Sequence, residues 1–408
     1  MKIFSFDGRA ELPHLIKAYW LPALVIFWIA GYFFFPSNKL HYQFFLLIFL
    51  MGTVRLLWQH RPGITWPPKS SVLKVGGLYL AFYFLSIFWS VDTTLSERLS
   101  EIKTVVYLII FTSLITYCLR RYPDFLFMML KLVLIVAGLT LLLNLILFYF
   151  VNGNDLSERF HGFGRLWSPL WMAAVYGALT VILVGILTHR PVQLTATQKA
   201  GLILLAGLFF IAVLATQSRM AIAATIAVSF IAAVTSNVSP KFRLFSVLVI
   251  AFMLGLTMWL SASVFDRMVE RGQSYRLDIW QGAIDLVSDK PILGYGAGSD
   301  IEIDTAVKKV DGWHHYHSSY IATLVDLGLS GFMLSVLLIA SAFRTAWRLR
   351  QHSAVKISIC VFVYCLMISL TFGEGFISRM NVQWLLFWLP LIIIAHYETK
   401  QRGTSSLQ

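Results

Sequence analysis

Charge is scarce in this chain of 408 residues: Asp, Glu, Lys and Arg make up 13% of it, against about 25% in an average soluble domain. Cysteine is scarcer still. Cys118, Cys360 and Cys365 all fall in apolar stretches, so neither a disulfide nor a cysteine-based metal site is expected. No low-complexity segment and no obvious internal repeat appears, and nothing marks off a separate soluble domain. Residues 1–14 are polar and the first apolar run is long enough to span, so no cleavable signal peptide is expected. These absences exclude a soluble globular enzyme, a disordered chain and a fibrous protein.

What fills the chain is apolar sequence, 58% of it, with a mean hydropathy of +0.73. Runs long enough to cross a bilayer recur along its length. They predict an all-α polytopic membrane protein with spans at 15–35, 39–58, 73–90, 102–119, 125–151, 166–188, 200–215, 219–236, 243–264, 317–340, 354–372 and 380–397. The span at 200–215 is short, and the one at 125–151 is long enough to protrude. We treat residues 1–408 as one membrane domain, with a large loop at 265–316 between the ninth and tenth spans.

Lys and Arg outnumber Asp and Glu by 33 to 20, a net charge of +13. On a soluble protein that excess would suggest nucleic acid, but no nucleic-acid-binding pattern is present, and cytoplasmic loops of membrane proteins are rich in Lys and Arg. Outside the spans, seventeen Lys and Arg lie on the side of the N-terminus and seven in the short loops opposite. Both termini are therefore expected in the cytoplasm. Fifteen of the 20 acids fall on the other side, so polar chemistry is expected outside the cytoplasm.

The 265–316 loop holds a readable helix. Ser274 is a candidate N-cap, Arg276 sits in the first turn, and Leu277, Trp280, Ile284 and Val287 recur at helical spacing until Pro291. Such a short amphipathic helix is expected on or near the membrane surface. Gly294, Gly296 and Gly298 follow. A glycine-rich loop can cradle phosphate, but this run has neither a Walker nor a dinucleotide pattern, and a structural turn is the preferred reading. His314, His315 and His317 invite a zinc reading, yet no acidic or cysteine ligand stands at the usual spacing, so no metal is expected. His317, at the head of a span, is suited to act as a general base.

Arg219 follows Thr216-Gln217-Ser218 in a very short outer connection, and Arg159 and Arg165 flank His161-Gly162-Phe163-Gly164 in another. With Arg276 they make four outer arginines, a pattern that suits an anionic ligand such as a lipid phosphate. Ordinary ion pairing with the outer acids is the alternative for any one of them. Asp326 lies inside a span, where a structural role against a neighbouring helix ranks ahead of a functional one. Glu374 and Arg379 share the last outer loop, able to pair with each other or to face a substrate.

Four motifs in order carry a family resemblance: Thr216-Gln217-Ser218-Arg219; Arg276-Leu277-Asp278-Ile279-Trp280; Pro291-Ile292-Leu293-Gly294-Tyr295-Gly296; and His317-Ser318-Ser319-Tyr320 running into Asp326-Leu327-Gly328-Leu329-Ser330-Gly331. Together they resemble the O-antigen ligase and polymerase superfamily of bacterial inner-membrane glycosyltransferases, with Ser318 where that family commonly has an asparagine. The resemblance implies a GT-C-type architecture and a site facing the periplasm. It implies a donor glycan carried on undecaprenyl diphosphate and, for a ligase, lipid A–core oligosaccharide as acceptor.

On that reading Arg219 and Arg276 bind the donor diphosphate, with Arg159 and Arg165 as secondary candidates. His317 takes the proton of the acceptor hydroxyl, and Glu374 and Arg379 orient the histidine or bind acceptor. The transfer is expected to be metal-independent, cofactor-free and inverting. An O-antigen polymerase is the nearest alternative. A protein-directed transferase fits less well, because only about ten residues follow the last span. A transporter, the rival from another class, would hold its ionisable groups near the midplane; here they crowd the rim.

Overall fold

The computed structural model describes residues 12–58, 70–189, 193–236, 276–303 and 315–405. Most of the described residues are in helices, joined by turns and loops. Eight helices precede the large loop: α1 (Leu12–Phe34), α2 (Asn38–Trp58), α3 (Ser71–Ser86), α4 (Leu95–Arg121), α5 (Phe125–Leu145), α6 (Pro169–His189), α7 (Ala196–Ala215) and α8 (Arg219–Val234). Then come α9 (Arg276–Asp289), α10 (Ser319–Arg348), α11 (Ser353–Ile368) and α12 (Leu389–Ser405). A π-helical turn, Ile146–Val151, extends α5, and another, Trp384–Trp388, leads into α12. Every predicted span overlaps a described helix except 243–264, which lies outside the described residues, as do Ser274 and His314.

Six helices among the described residues are long and apolar enough to cross a membrane. Their exposed side chains are apolar too: Leu139, Phe150 and Leu204 are at least 64% exposed. In water such surfaces would be an aggregation liability; against lipid they are the solvent-facing surface, since helices satisfy their own backbone. α6 is the buried exception, enclosed by α7, α8 and α11. Gly177 makes that enclosure possible, because a Cβ there would run into Thr225 of α8 and Tyr364 of α11. Around α1, the rings of Trp28, Tyr32, Phe45, Phe111 and Trp384 pack in tilted and edge-on pairs.

Two helix ends differ from expectation for one reason. α4 begins at Leu95 rather than 102, with a Thr94–Glu97 capping box at its start. α10 continues to Arg348 rather than stopping at 340. Hydropathy marks where apolar solvent ends, whereas a helix persists as long as its backbone bonds are met, and Arg side chains reach past the apolar edge. At the far end from His317, Glu398 ties the bundle together. It accepts from Ser70 Oγ at 2.7 Å and Ser71 N at 2.9 Å, and pairs with Arg348 at 3.0 Å and Arg402 at 2.8 Å.

A helix stands where spacing predicts one, and the face it turns to the protein lies beside the apolar stripe Leu277, Trp280, Ile284 and Val287. Ile279, Gly282 and Ala283 are buried against α10, while Leu277 and Ile284 are more than half exposed. Helical spacing identifies an apolar stripe; which edge of it meets protein depends on where α10 lies.

Candidate functional site at the heads of three helices

Arg219 is the first residue of α8, and the turn before it is built to put it there. Gln217 adopts a left-handed backbone (φ +54°), an uncommon state for a residue with a side chain. That state reverses the chain after the last turn of α7 within three residues. The loop carrying Arg159 clasps this turn: Phe160 N donates to Ala215 O at 2.9 Å, Arg159 Nε to Thr216 O at 3.1 Å, and Gln217 Nε2 to Ser157 O at 2.9 Å.

Arg276 opens α9, and the segment after α9 docks into a break in α10. Gly328 has φ +62° and ψ −169°, a conformation that is essentially glycine's alone. It splits α10 and frees backbone groups, and the 291–296 segment takes them up. Tyr295 N donates to Val325 O at 2.9 Å and Gly296 N to Asp326 O at 2.8 Å, while Leu329 N donates to Pro291 O at 2.8 Å and Ser330 N to Ile292 O at 3.1 Å. Gly296 packs so closely that a Cβ would sit 2.6 Å from Ser90 Cα. The glycine run is thus a turn fitted to α10 and α3, and the two motifs 291–296 and 326–331 are the two halves of one joint. Asp326 contributes its carbonyl to that joint, the structural role ranked first.

His317 stands just before α10, also in a left-handed backbone (φ +50°). Its neighbours hold it: Trp280 Nε1 donates to Tyr316 O at 3.0 Å, and Ser319 N to Ser369 O at 2.9 Å. A Cβ placed on Gly373 would lie 3.9 Å from His317 Nδ1, so the next residue, Glu374, is brought close to the histidine. Gln383 closes the far side, donating to Ser319 Oγ at 2.9 Å.

The electrostatics follow from this packing. Arg276 feels Arg219, and partial burial together with that like charge holds its pKa below the ordinary value. His317 is likewise lowered, first by burial, then by the charges of Arg276 and His315. Glu374 is raised by burial, against the opposing pull of its hydrogen bonds to Asn381 and Ser378 and the charges of His315 and Arg379. The Asn381 amide donates to Glu374 Oε2. Arg276, at the head of α9, is therefore within electrostatic reach of Arg219 at the head of α8 and of His317 before α10, whose imidazole is biased to neutrality. The N-cap serines of α8 and α10, Ser218 and Ser318, make no side-chain cap bond, so both helix starts keep amide donors at the end where positive dipole collects.

Of the residues singled out in the sequence, Arg276 lies within electrostatic reach of both Arg219 and His317, Glu374 adjoins His317 through Gly373, and Arg159 braces the Arg219 turn. Arg165 goes elsewhere. It is 6% exposed, stacks over the Tyr32 ring at 4.3 Å, and donates to Met380 O at 2.8 Å. Arg379 pairs with Glu101 at 3.7 Å rather than with Glu374. Arg165, Glu374 and Arg379 all line a cavity of about 530 Å³ beside the cluster. Gln383, which helps hold the His317 segment, carries no signal in one sequence, because a glutamine near a span end is common, and Trp280, marked there only as part of an apolar stripe and a motif, proves to hold Tyr316.

The fold and this cluster define a polytopic membrane protein with a cationic, histidine-bearing site where helix ends meet. Residues 203–336, which include Arg219, Arg276 and His317, match a family model described as O-antigen ligase. An O-antigen ligase of Pseudomonas aeruginosa is 27% identical to the chain, over 98% of this chain and 95% of that protein. The two matches bear out the resemblance to the O-antigen ligase superfamily.

Proposed function

We propose that this protein is an O-antigen ligase of lipopolysaccharide biosynthesis, transferring a glycan en bloc from undecaprenyl diphosphate to a sugar hydroxyl of lipid A–core oligosaccharide. The observation that supports the reading most is that Arg276, which opens α9, lies within electrostatic reach of Arg219 at the head of α8 and of His317 just before α10. The chain is one membrane domain of about twelve spans with GT-C-type architecture. It lies in the bacterial inner membrane with both termini cytoplasmic, and the 265–316 loop and the site face the periplasm.

A glycosyl diphosphate already carries its leaving group, so the demand on the protein is to meet the charge that develops on it. Arg219 and Arg276 supply fixed positive charge at that point, with Arg159 bracing the Arg219 turn, and charge placed in advance costs no reorganisation during reaction. His317, held neutral, accepts the proton of the acceptor hydroxyl as its oxygen attacks the anomeric carbon. The bond to the diphosphate breaks, its electron pair leaves with undecaprenyl diphosphate, and one displacement inverts the anomeric centre. No step in this scheme calls for a metal. The left-handed backbone at His317 is the kind of local strain that surrounding structure maintains for a purpose.

The test is reconstitution of the purified protein in nanodiscs with undecaprenyl-diphosphate-linked glycan and lipid A–core, with EDTA present and ATP absent. A ladder of glycosylated lipid A–core is expected. Growth of the lipid-linked glycan alone would make the protein a polymerase with the same site. Wild-type transfer by His317→Ala would overturn the base assignment.

A further inference from the structure

The cavity beside the cluster is unlike the rest of the membrane-facing chain. Four cations, Lys39, Lys103, Arg165 and Arg379, line it with a single carboxylate, Glu374. All four belong to the seven Lys and Arg that the predicted topology assigns to the short outer loops, the side on which such residues are disfavoured. They come from separate parts of the chain, namely the heads of α2 and α4, the turn before α6, and the loop before α12. Arg165 and Arg379 have internal partners in Met380 and Glu101. Lys39 and Lys103 are exposed and make no ion pair among the described residues. Like charges gathered around one cavity repel, and that repulsion is relieved when an anion enters.

The remaining wall is aromatic. Trp167, Trp171 and Trp384 line the same cavity, and Trp167 is 63% exposed. An aromatic face is electron-rich and accepts the C–H-bearing face of a sugar ring. Polar groups among such rings then fix orientation; here Asn381, which bonds Glu374, is one.

We propose that this cavity is the acceptor subsite, and that it recognises a saccharide bearing an anionic substituent, a phosphate monoester or a carboxylate. Lys39 and Lys103 bind the anion, and the tryptophans bind the sugar ring. Glu374, next to Gly373 and so to His317, stands where the acceptor hydroxyl must turn toward the base. The inference rests on the ligase reading for the word acceptor, but the binding chemistry stands by itself.

The full chain in nanodiscs should be titrated calorimetrically with four probes: a synthetic disaccharide with one phosphate monoester, the same disaccharide with a uronic carboxylate, the neutral disaccharide, and inorganic phosphate. At least one anionic disaccharide is expected to bind about tenfold or more tighter than both the neutral sugar and inorganic phosphate. Which anionic probe wins identifies the substituent. Lys39→Ala/Lys103→Ala, two exposed positions outside the packed core, should erase the preference. Equal binding of charged and neutral sugars would overturn the proposal, as would inorganic phosphate binding as tightly as the sugar phosphate, or a preference that survives the double variant. His317→Ala should bind the probes like wild type. If that variant also kept full transfer, the ligase mechanism would fail while the binding result stood. If transfer proceeded normally without any sugar preference, the subsite alone would fail.

Discussion

Gly328→Ala is the most informative single substitution, because it separates the joint between α9 and α10 from the chemistry it supports. At φ +62° and ψ −169° an alanine is strained by about 1–3 kcal/mol. Its Cβ would also run into the backbone of Ile292 and Gly294, and backbone cannot swing aside as a side chain can. The 291–296 segment must then retreat from α10. Four backbone hydrogen bonds cross that joint, each worth about 0.5–1.5 kcal/mol net. Losing half of them adds a similar amount to the strain, for a total of about 4 kcal/mol.

Against a typical stability of about 5–15 kcal/mol, that loss is large, and it should lower the melting temperature by on the order of 5 °C. The three cysteines, all buried, provide the assay: a thiol-reactive dye reports unfolding as they become accessible. Gly77→Ala is the control. A Cβ there meets nothing within 4 Å in the interior of α3, so alanine should stabilise by about 0.5–1 kcal/mol. Because the joint sets where α9 lies, Gly328→Ala should also move Arg276 away from His317 and reduce transfer in the protein that remains folded. A melting temperature within about 1 °C of wild type, with full activity, would refute the account of the joint.

Transfer should depend on neutral His317. Its pKa lies below the ordinary histidine value because of burial, Arg276 and His315, so kcat/KM should hold at neutral pH and fall as pH drops through that lowered pKa, below about 6.5; a limb above that pH would contradict the assignment. Arg276→Ala should lower kcat by about 10²–10³ with little change in melting temperature, read from initial rates in the reconstituted assay, and a change confined to KM would assign the residue to ground-state binding instead. Glu398→Ala removes the carboxylate that ties Ser70, Ser71, Arg348 and Arg402 together and should cost about 3 kcal/mol. The same dye assay would show the loss, with kcat unchanged in protein kept below its melting point.

Much of this molecule is legible in one dimension. The membrane class, the places of its helices and the existence of a surface helix follow from hydropathy and spacing, because a helix in lipid must be apolar over a set length wherever it packs. Residue chemistry likewise marks His317 and the four outer arginines, and the family resemblance ranks Arg219 and Arg276 first among them. Other properties depend on which segments meet. Arg159 and Arg165 look equivalent, flanking the same four residues, yet one braces the Arg219 turn and the other stacks on Tyr32 of α1. Glu374 and Arg379 look like a pair, but Arg379 turns to Glu101, which spacing never brings into view. Leu277 and Ile284 mark an apolar stripe, but that Ile279 and Ala283 are the residues α10 covers is not visible in spacing. Two glycine-bearing motifs about 35 residues apart become a single joint only when the break at Gly328 exposes the backbone groups that 291–296 can fill. Periodicity records the solvent each residue meets, and composition records its chemistry; partnership between distant segments is decided by the packed fold.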